Sequence, residues 1–181
     1  MKDIYSIINT MRAFIIKKIP IREYDELVIC YTQEDGKQVY QAKSVLRSTS
    51  KQASHLDILN LVDFNLVQGN GHPIITSAYC LNAFSKIKSD IKALAVSFFI
   101  VELMDKVVME GERDGSLWDF LSNKLNDINL FANKKDIFWQ KEFKKIHAEA
   151  VNVLGYGKGL SIEEAVERRF GSLQLIQNVV R

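Results

Sequence analysis

Titratable side chains are plentiful in this sequence, but few stand in patterns that support catalysis. The histidines are His55, His72 and His147, and none has a second histidine or a cysteine at helical or hairpin spacing. Cys30 and Cys80 sit in apolar, strand-like runs and read as buried free thiols; two cysteines do not make a four-cysteine zinc site. His55 and Asp57 have the spacing of an acid–base pair, yet alternate positions beside a strand equally describe a solvent-facing row. His72 lies in a turn, where polar residues belong. Glu102 and Asp105 share a helix face, with Glu110, Glu112 and Asp114 beyond. Paired carboxylates can hold a metal or run hydrolysis, but no histidine joins these and Lys106 follows, so a solvated or interdomain face is expected. Gly155-Tyr156-Gly157-Lys158-Gly159 follows a helix-like run, whereas a phosphate-cradling loop needs strand, loop and helix in that order. A nucleophile elbow of the form G-x-S-x-G is absent. The expectation is a protein that is not an enzyme and uses no metal or cofactor.

The cations of the first half carry more information. Lys17 and Lys18 are adjacent on one strand-like run, and Arg22 lies in the loop after it. Lys37 and Lys43 bracket another, and Arg47 and Lys51 follow in a segment from Lys43 to Ser54 that contains no acid. If the first and third strands are neighbours, several of these share one groove-lined face. Phosphates bind such a stripe, and bases stack on aromatic rings beside it; Tyr24, Tyr31 and Tyr40 are the candidates. Lysines on strands also guard edges against aggregation, and tyrosine is an ordinary strand residue, so the pattern leaves both explanations open.

The elements that must position these groups change period midway. Ala13 to Ile19, Glu26 to Thr32 and Lys37 to Lys43 read as strands, the last two joined by an acidic turn ending in Gly36. Arg47 to Ser54 is polar and reads as the least structured stretch of this half. Ile58 to Gln68 and Ile74 to Leu81 are two further strands around the turn Gly69-Asn70-Gly71-His72-Pro73. Five short strands over about eighty residues match an OB-type β-barrel, a count that SH3-like barrels also meet. Helical patterns follow over Asp90 to Met109, Leu117 to Leu130, Asp136 to Leu154, and Ser161 toward Asn178. The first is apolar nearly all round, as a helix buried among several neighbours would be. Asp114 or Ser116 is placed to cap the second, Gly155 to end the third, and Ser161 with Glu164 to form a capping box. The fold class is therefore α+β: a five-stranded OB-type barrel over residues 1–82 and an all-α domain over 83–181.

Composition bounds the partners. The 181 residues are 47% hydrophobic and 25% charged, within the ordinary globular range. Twenty-four basic residues nearly balance 22 acidic ones, leaving a net charge of +2, so any polyanion-binding face must come from local clustering. The start Met1-Lys2-Asp3 does not read as a basic secretory leader, and the strongest apolar run, Ala93 to Val101, is interrupted by Ser97 and falls short of the roughly 20 residues of a membrane helix. A cytoplasmic protein with no membrane partner is expected.

The order of motifs resembles the bacterial RecO family of recombination mediators. That family opens on a strand A-x-V-L-K, a loop with E-x-D, then L-V-x-x-x-T-x-x-x-G-K and a strand leading into a basic segment. Ala13, Lys17, Glu23, Asp25, Leu27, Val28, Thr32, Gly36, Lys37, Ala42 and Lys43 occupy those places. The run from Lys88 to Ile128 is similar to the family's first helices, with Glu102-Leu103-Met104-Asp105 as its E-L-x-D, and Leu154-Gly155-Tyr156 matches a recurring L-G-Y. The resemblance implies an N-terminal OB fold and a helical C-terminal domain. It implies binding of single- and double-stranded DNA, partnership with RecR and the single-strand-binding protein SSB, help in loading RecA, and strand annealing. Two departures stand out. A four-cysteine zinc module that many members carry after L-G-Y is missing here, so a compact, zinc-free form is expected. The family's Gly-rich basic loop is represented by Ser44-Val45-Leu46-Arg47, without glycine. A protein-interaction adaptor, or an OB-fold RNA-binding protein, is the competing expectation, and residues 1–10 have no assigned role.

Overall fold

A computed structural model describes residues 8–69, 71–156 and 161–180 of the chain. It divides into two compact units, Met1–Ala83 with Val108–Arg113, and Phe84–Val107 with Asp114–Arg181.

The first unit is a closed barrel of β1 (Ile8–Pro20), β2 (Glu26–Thr32), β3 (Gly36–Ala42), β4 (Leu61–Val67) and β5 (Ile74–Asn82), in the order β1-β2-β3-β5-β4. With the all-α region after it, this is the expected α+β class with an OB-type barrel. β1 is longer than the expected Ala13–Ile19, because residues 8–12 extend it. Its first half pairs with β4, from Ile8↔Leu66 to Phe14↔Leu61, and its second half with β2, from Ala13↔Thr32 to Pro20↔Glu26. A bulge between Ile15 and Lys17 lets the strand turn from one partner to the other. Period-two burial fills the interior with Met11, Ala13, Ile15, Val28, Cys30, Tyr40, Val62, Phe64, Leu66 and Ile75. The strand order corrects one expectation: β1 and β3 are not neighbours, because β2 lies between them.

In the connection between β3 and β4, Arg47 to Ser54 forms only turns and bends, as expected, but the segments on either side of it are anchored. Val45, Leu56 and Leu59 are buried, and buried Asn60 donates to the carbonyls of Ser54 and His55 at 3.0 and 2.9 Å. Asn60 thus belongs to this plug, and β4 begins only at Leu61. The plug also satisfies part of the β5 edge: Gln52 Nε2 donates to Thr76 O, and Cys80 N donates to His55 Nδ1. Cys30 is buried, whereas Cys80 is only partly buried, and neither is in a disulfide.

The β2–β3 turn is set by Thr32, whose hydroxyl donates to Gly36 O at 3.0 Å and accepts from Asp35 N at 2.9 Å. Gly36 has φ of +69°, and a Cβ built there would lie 1.9 Å from Glu112 O. That proximity reflects the return of residues 108–113 to the barrel: Gly111 N donates to Lys37 O, Lys37 N to Glu112 O, and Lys37 Nζ to Val108 O.

The second unit holds α1 (Ser85–Ser89), α2 (Ile91–Val107), α3 (Gly115–Phe131), α4 (Asp136–Val153), α5 (Ile162–Val166) and α6 (Gly171–Val179). α2 packs against α1, α3, α4 and α6, which accounts for its apolar circumference. Asp114 caps α3, Gly155 ends α4 at φ of +75°, and Ser161 with Glu164 forms the capping box. The last helical run is two helices, because Glu167 takes a left-handed conformation and breaks it before Phe170. No side chain of its own segment caps α6. Glu102 of α2 does so instead, accepting from Gly171 N, Ser172 N and Ser172 Oγ at 2.9, 2.8 and 2.5 Å. The carboxylate expected on a solvated face is therefore a structural cap. Burial alone would raise its pKa, but hydrogen bonds from Lys106, Ser172 and Gly171 outweigh that and hold it at about 2.

Gly36→Ala should lower stability by about 2 kcal/mol or more, because left-handed strain adds to a backbone clash. Gly111→Ala, at φ of +78° in open space, should cost only about 1 kcal/mol. Urea unfolding of the two variants checks the difference. Glu102→Gln should cost about 1–2 kcal/mol at neutral pH, allowing for partial exposure. The folded pKa lies below the ordinary value of 4.5, so this stabilisation is complete above that value and lost as pH falls through about 2. The variant and the parent should converge in thermal melts as the pH is lowered over that window.

Candidate nucleic-acid interface

Three segments meet at one end of the barrel. The register Pro20↔Glu26↔Ala42 brings the β1–β2 loop beside the end of β3. The β4–β5 turn joins them through Gln41, which pairs with Ile74 and donates its backbone N–H to Pro73 O at 2.9 Å. Between these segments lies an open groove of about 590 Å³, lined by Ile21 and Arg22, Leu27, Gln41 and Lys43, and Gln68, Gly69, Gly71, His72 and Ile74. No carboxylate lines it among the described residues. The nearest acid, Asp25, accepts from Ser44 N at 2.8 Å and Gln41 Nε2 at 3.2 Å, with Arg22 at 3.9 Å. Asp25 thus stitches the β1–β2 loop to the end of β3.

The lip beside this groove is aromatic and basic. Leu46 N donates to Tyr24 O, and the Arg47 guanidinium lies over the Tyr24 ring at 4.8 Å. A hydrogen bond from the phenol to Glu23 pushes the Tyr24 pKa above its usual value, so the hydroxyl stays protonated. Ile21 and Leu46 are also exposed here. The arrangement offers cations for phosphates, amide groups for base edges and ring or guanidinium planes for stacking.

The structure sorts the sequence candidates. Arg22 and Lys43 line the groove, and Arg47 with Tyr24 forms its neighbouring lip. Lys51 is exposed in the β3–β4 connection but does not line the groove. Lys17 is exposed opposite Ile29. Lys18 is half-buried and pairs with Glu26 at 3.2 Å, which neutralises its charge. Lys37 stands six residues before Lys43, about 20 Å along an extended chain, and holds the 108–113 segment. Tyr40 and Tyr31 are not stacking surfaces. Tyr40 is 4% exposed, packs edge-on against Phe64 and belongs to the core, where burial raises its pKa; Tyr31 is 1% exposed. Burial follows from the pairing Val28↔Tyr40, which sets the Tyr40 side chain inward.

Sequence reasoning missed His72, Gln41 and Gln68 in the groove, because a turn and two uncharged amides carry no signal until the strand order is known. It also missed Tyr79, 66% exposed on β5 and stacked on His55 at 6.1 Å between ring centres. His55 is thus engaged with Cys80 N and Tyr79. Among the described residues, no group of three or more His, Cys, Asp or Glu is arranged to hold a metal ion, and no helix is long and apolar enough to cross a membrane.

A five-stranded barrel closed in this order, followed by an all-α region, defines an OB-fold protein of the α+β class, and its groove lies where OB folds take oligonucleotides: the β2–β3 face and the loops after β1 and β4. The family model for the recombination protein O N terminal matches residues 6–84. The DNA repair protein RecO of Shouchella clausii is 30% identical over 117 residues, 65% of this chain and 46% of that protein. RecO of Desulforamulus reducens is 27% identical over 119 residues and that of Listeria monocytogenes 28% over 117, each match covering 46% of the relative. Residues 6–84 thus resemble the N-terminal domain of RecO proteins, and the match spans about half the length of these relatives.

Tyr40→Ala should lower stability by about 3–4 kcal/mol through the cavity it leaves. Tyr24→Ala should stay within about 0.5 kcal/mol of the parent, as surface changes do. Chemical denaturation distinguishes the two tyrosines.

Proposed function

We propose that this protein is a non-enzymatic DNA repair and recombination mediator whose barrel binds single- and double-stranded DNA in the groove between the β1–β2 loop, the end of β3 and the β4–β5 turn. The observation that carries this is the carboxylate-free groove with Arg22 and Lys43 on its walls and Arg47 stacked on Tyr24 at its lip. Lysine and arginine there displace counterions from phosphates, while Tyr24 and the Arg47 plane offer stacking surface to unpaired bases. Lys17 and Lys51 extend the positive field beyond the groove.

In this proposal the division near residue 82 separates a DNA-binding barrel from a helical domain that meets protein partners. The similarity to RecO proteins supports partnership with a RecR-like protein and with the single-strand-binding protein SSB, and through them a role in loading RecA and annealing complementary strands. A cytoplasmic site of action goes with that role.

The triple variant Arg22→Ala/Lys43→Ala/Arg47→Ala should bind a fluorescent single-stranded oligonucleotide about tenfold more weakly at low salt. Its plot of log affinity against log salt should be shallower by about two, since each lost contact to a single strand removes roughly 0.7. Anisotropy titrations at two salt concentrations read both quantities. Affinity and slope equal to the parent's would remove the groove from the proposal. A clear preference for RNA of the same sequence would reassign the groove to RNA.

A further inference from the structure

The helical unit carries a separate concentration of positive charge at the α3–α4 junction. α3 ends at Phe131, Asn133 turns the chain with φ of +69°, and Asp90 pins the turn by accepting from Asn133 N at 2.5 Å. Lys134 and Lys135 are exposed on this turn. Asp136 opens α4, and its carboxylate is paired with Lys92. An open depression of about 650 Å³ runs over Asn133, Lys134, Lys135, Ile137 and Gln140, with the Lys92–Asp136 pair also in its wall.

α4 then continues the cationic surface. Trp139, Ile146, Ala150 and Val151 are buried, so the opposite side faces outward. Ile137 is 64% exposed, and Gln140, Lys141, Lys144 and Lys145 are exposed with it. At 3.6 residues per turn, Ile137, Lys141 and Lys144 fall within an arc of about 60°. Neighbouring acids do not cancel the charge. Glu142 and Glu149 lie 3.9 and 4.0 Å from Lys145, and Glu149 also holds Lys124 at 2.5 Å. Lys134, Lys135, Lys141 and Lys144 have no carboxylate partner among the described residues.

We propose that the α3–α4 turn and the outward face of α4 form a second nucleic-acid-binding surface, which holds the phosphate backbone through Lys134, Lys135, Lys141 and Lys144. The row runs about 15 Å along the helix axis, and one strand of a duplex places a phosphate every 3.4 Å or so of its axis, so about four phosphates face it. No aromatic ring is exposed along this row, and lysine ammonium groups act as point charges without base readout. The surface therefore holds single- and double-stranded DNA alike and ignores sequence, unlike the barrel groove with its stacking lip. Two binding surfaces on one chain let it hold two strands at once. This surface does not depend on the groove being a DNA site.

The test is anisotropy of the full chain with a fluorescent oligo-dT and with a labelled duplex, each at two salt concentrations. Lys134→Ala/Lys135→Ala/Lys141→Ala/Lys144→Ala should weaken duplex binding about tenfold at low salt and flatten the duplex salt slope by about 3.6, roughly 0.9 per lost contact. The four Lys→Arg replacements should keep both values. All four side chains are exposed, and unchanged circular dichroism and melting temperature establish that the Ala variant is folded. If it is not, Lys141→Gln/Lys144→Gln should still flatten the slope by about half as much. Parent-like slopes in a folded Ala variant overturn the proposal. So does loss of binding to fluorescent poly-glutamate with DNA binding unchanged, which would make this a surface for acidic protein. The groove variant run in parallel separates the two readings: loss there alone leaves the groove standing and removes the second surface, and loss in the Lys variant alone does the reverse.

Discussion

The barrel closes between β3 and β5 through one backbone register, at Gln41. Every other neighbouring pair in the barrel shares several residue pairs; here Gln41 meets Ile74 and donates to Pro73 O, and the strands diverge beyond it. That single crossing forces the β4–β5 turn against the end of β3. It also leaves a gap on either side of the closure. At one end the gap is the groove lined by Arg22, Lys43 and His72. Elsewhere the β5 edge is met by Gln52 and His55 from the plug between β3 and β4, and the start of β3 is covered by residues 108–113. An OB barrel left open along this seam would present unpaired backbone groups, so the coverings and the groove are two consequences of one geometry.

Charge is distributed by the same logic. The chain is nearly neutral, and several of its ions are engaged with one another: Lys18 with Glu26, Arg12 with Asp63, Lys92 with Asp136, Lys124 with Glu149. What matters for a polyanion is the cations left over and where they stand. On the barrel Lys43 and Arg47 stand at the groove end, while Asp25 accepts from Ser44 N and Gln41 and lies 3.9 Å from Arg22. The motif E-x-D noted in the sequence thus has a mechanical meaning: its second acid ties two loops together.

In the helical unit a carboxylate again replaces a local signal. α6 begins at Phe170 without a capping side chain of its own, and Glu102, sixty-nine residues earlier, supplies the acceptor for Gly171 and Ser172. Three donors converge on one carboxylate, which keeps it ionised far below ordinary acid conditions. The cap locks α6 to α2, the helix around which α1, α3, α4 and α6 pack.

The switch from period two to period 3.6 after Asn82, the Thr32–Gly36 turn, the Asp114 cap and the Ser161–Glu164 capping box were all legible in the residues. Each depends on side chains within a few positions of one another, where local sterics and hydrogen bonding decide. The motif order that marks the RecO family was legible for the same reason. Strand order was not. The long β1 takes two partners through a bulge at Ile15–Lys17, and that pairing separates Lys17 and Lys18 from β3, puts Tyr40 in the core and brings His72 to the groove. The break at Glu167 and the cap from Glu102 were likewise hidden, because their partners are remote in sequence. Local chemistry determined which elements this chain forms; contacts between distant segments decided which of its charges face solvent together, since burial and pairing exist only once the chain has closed on itself.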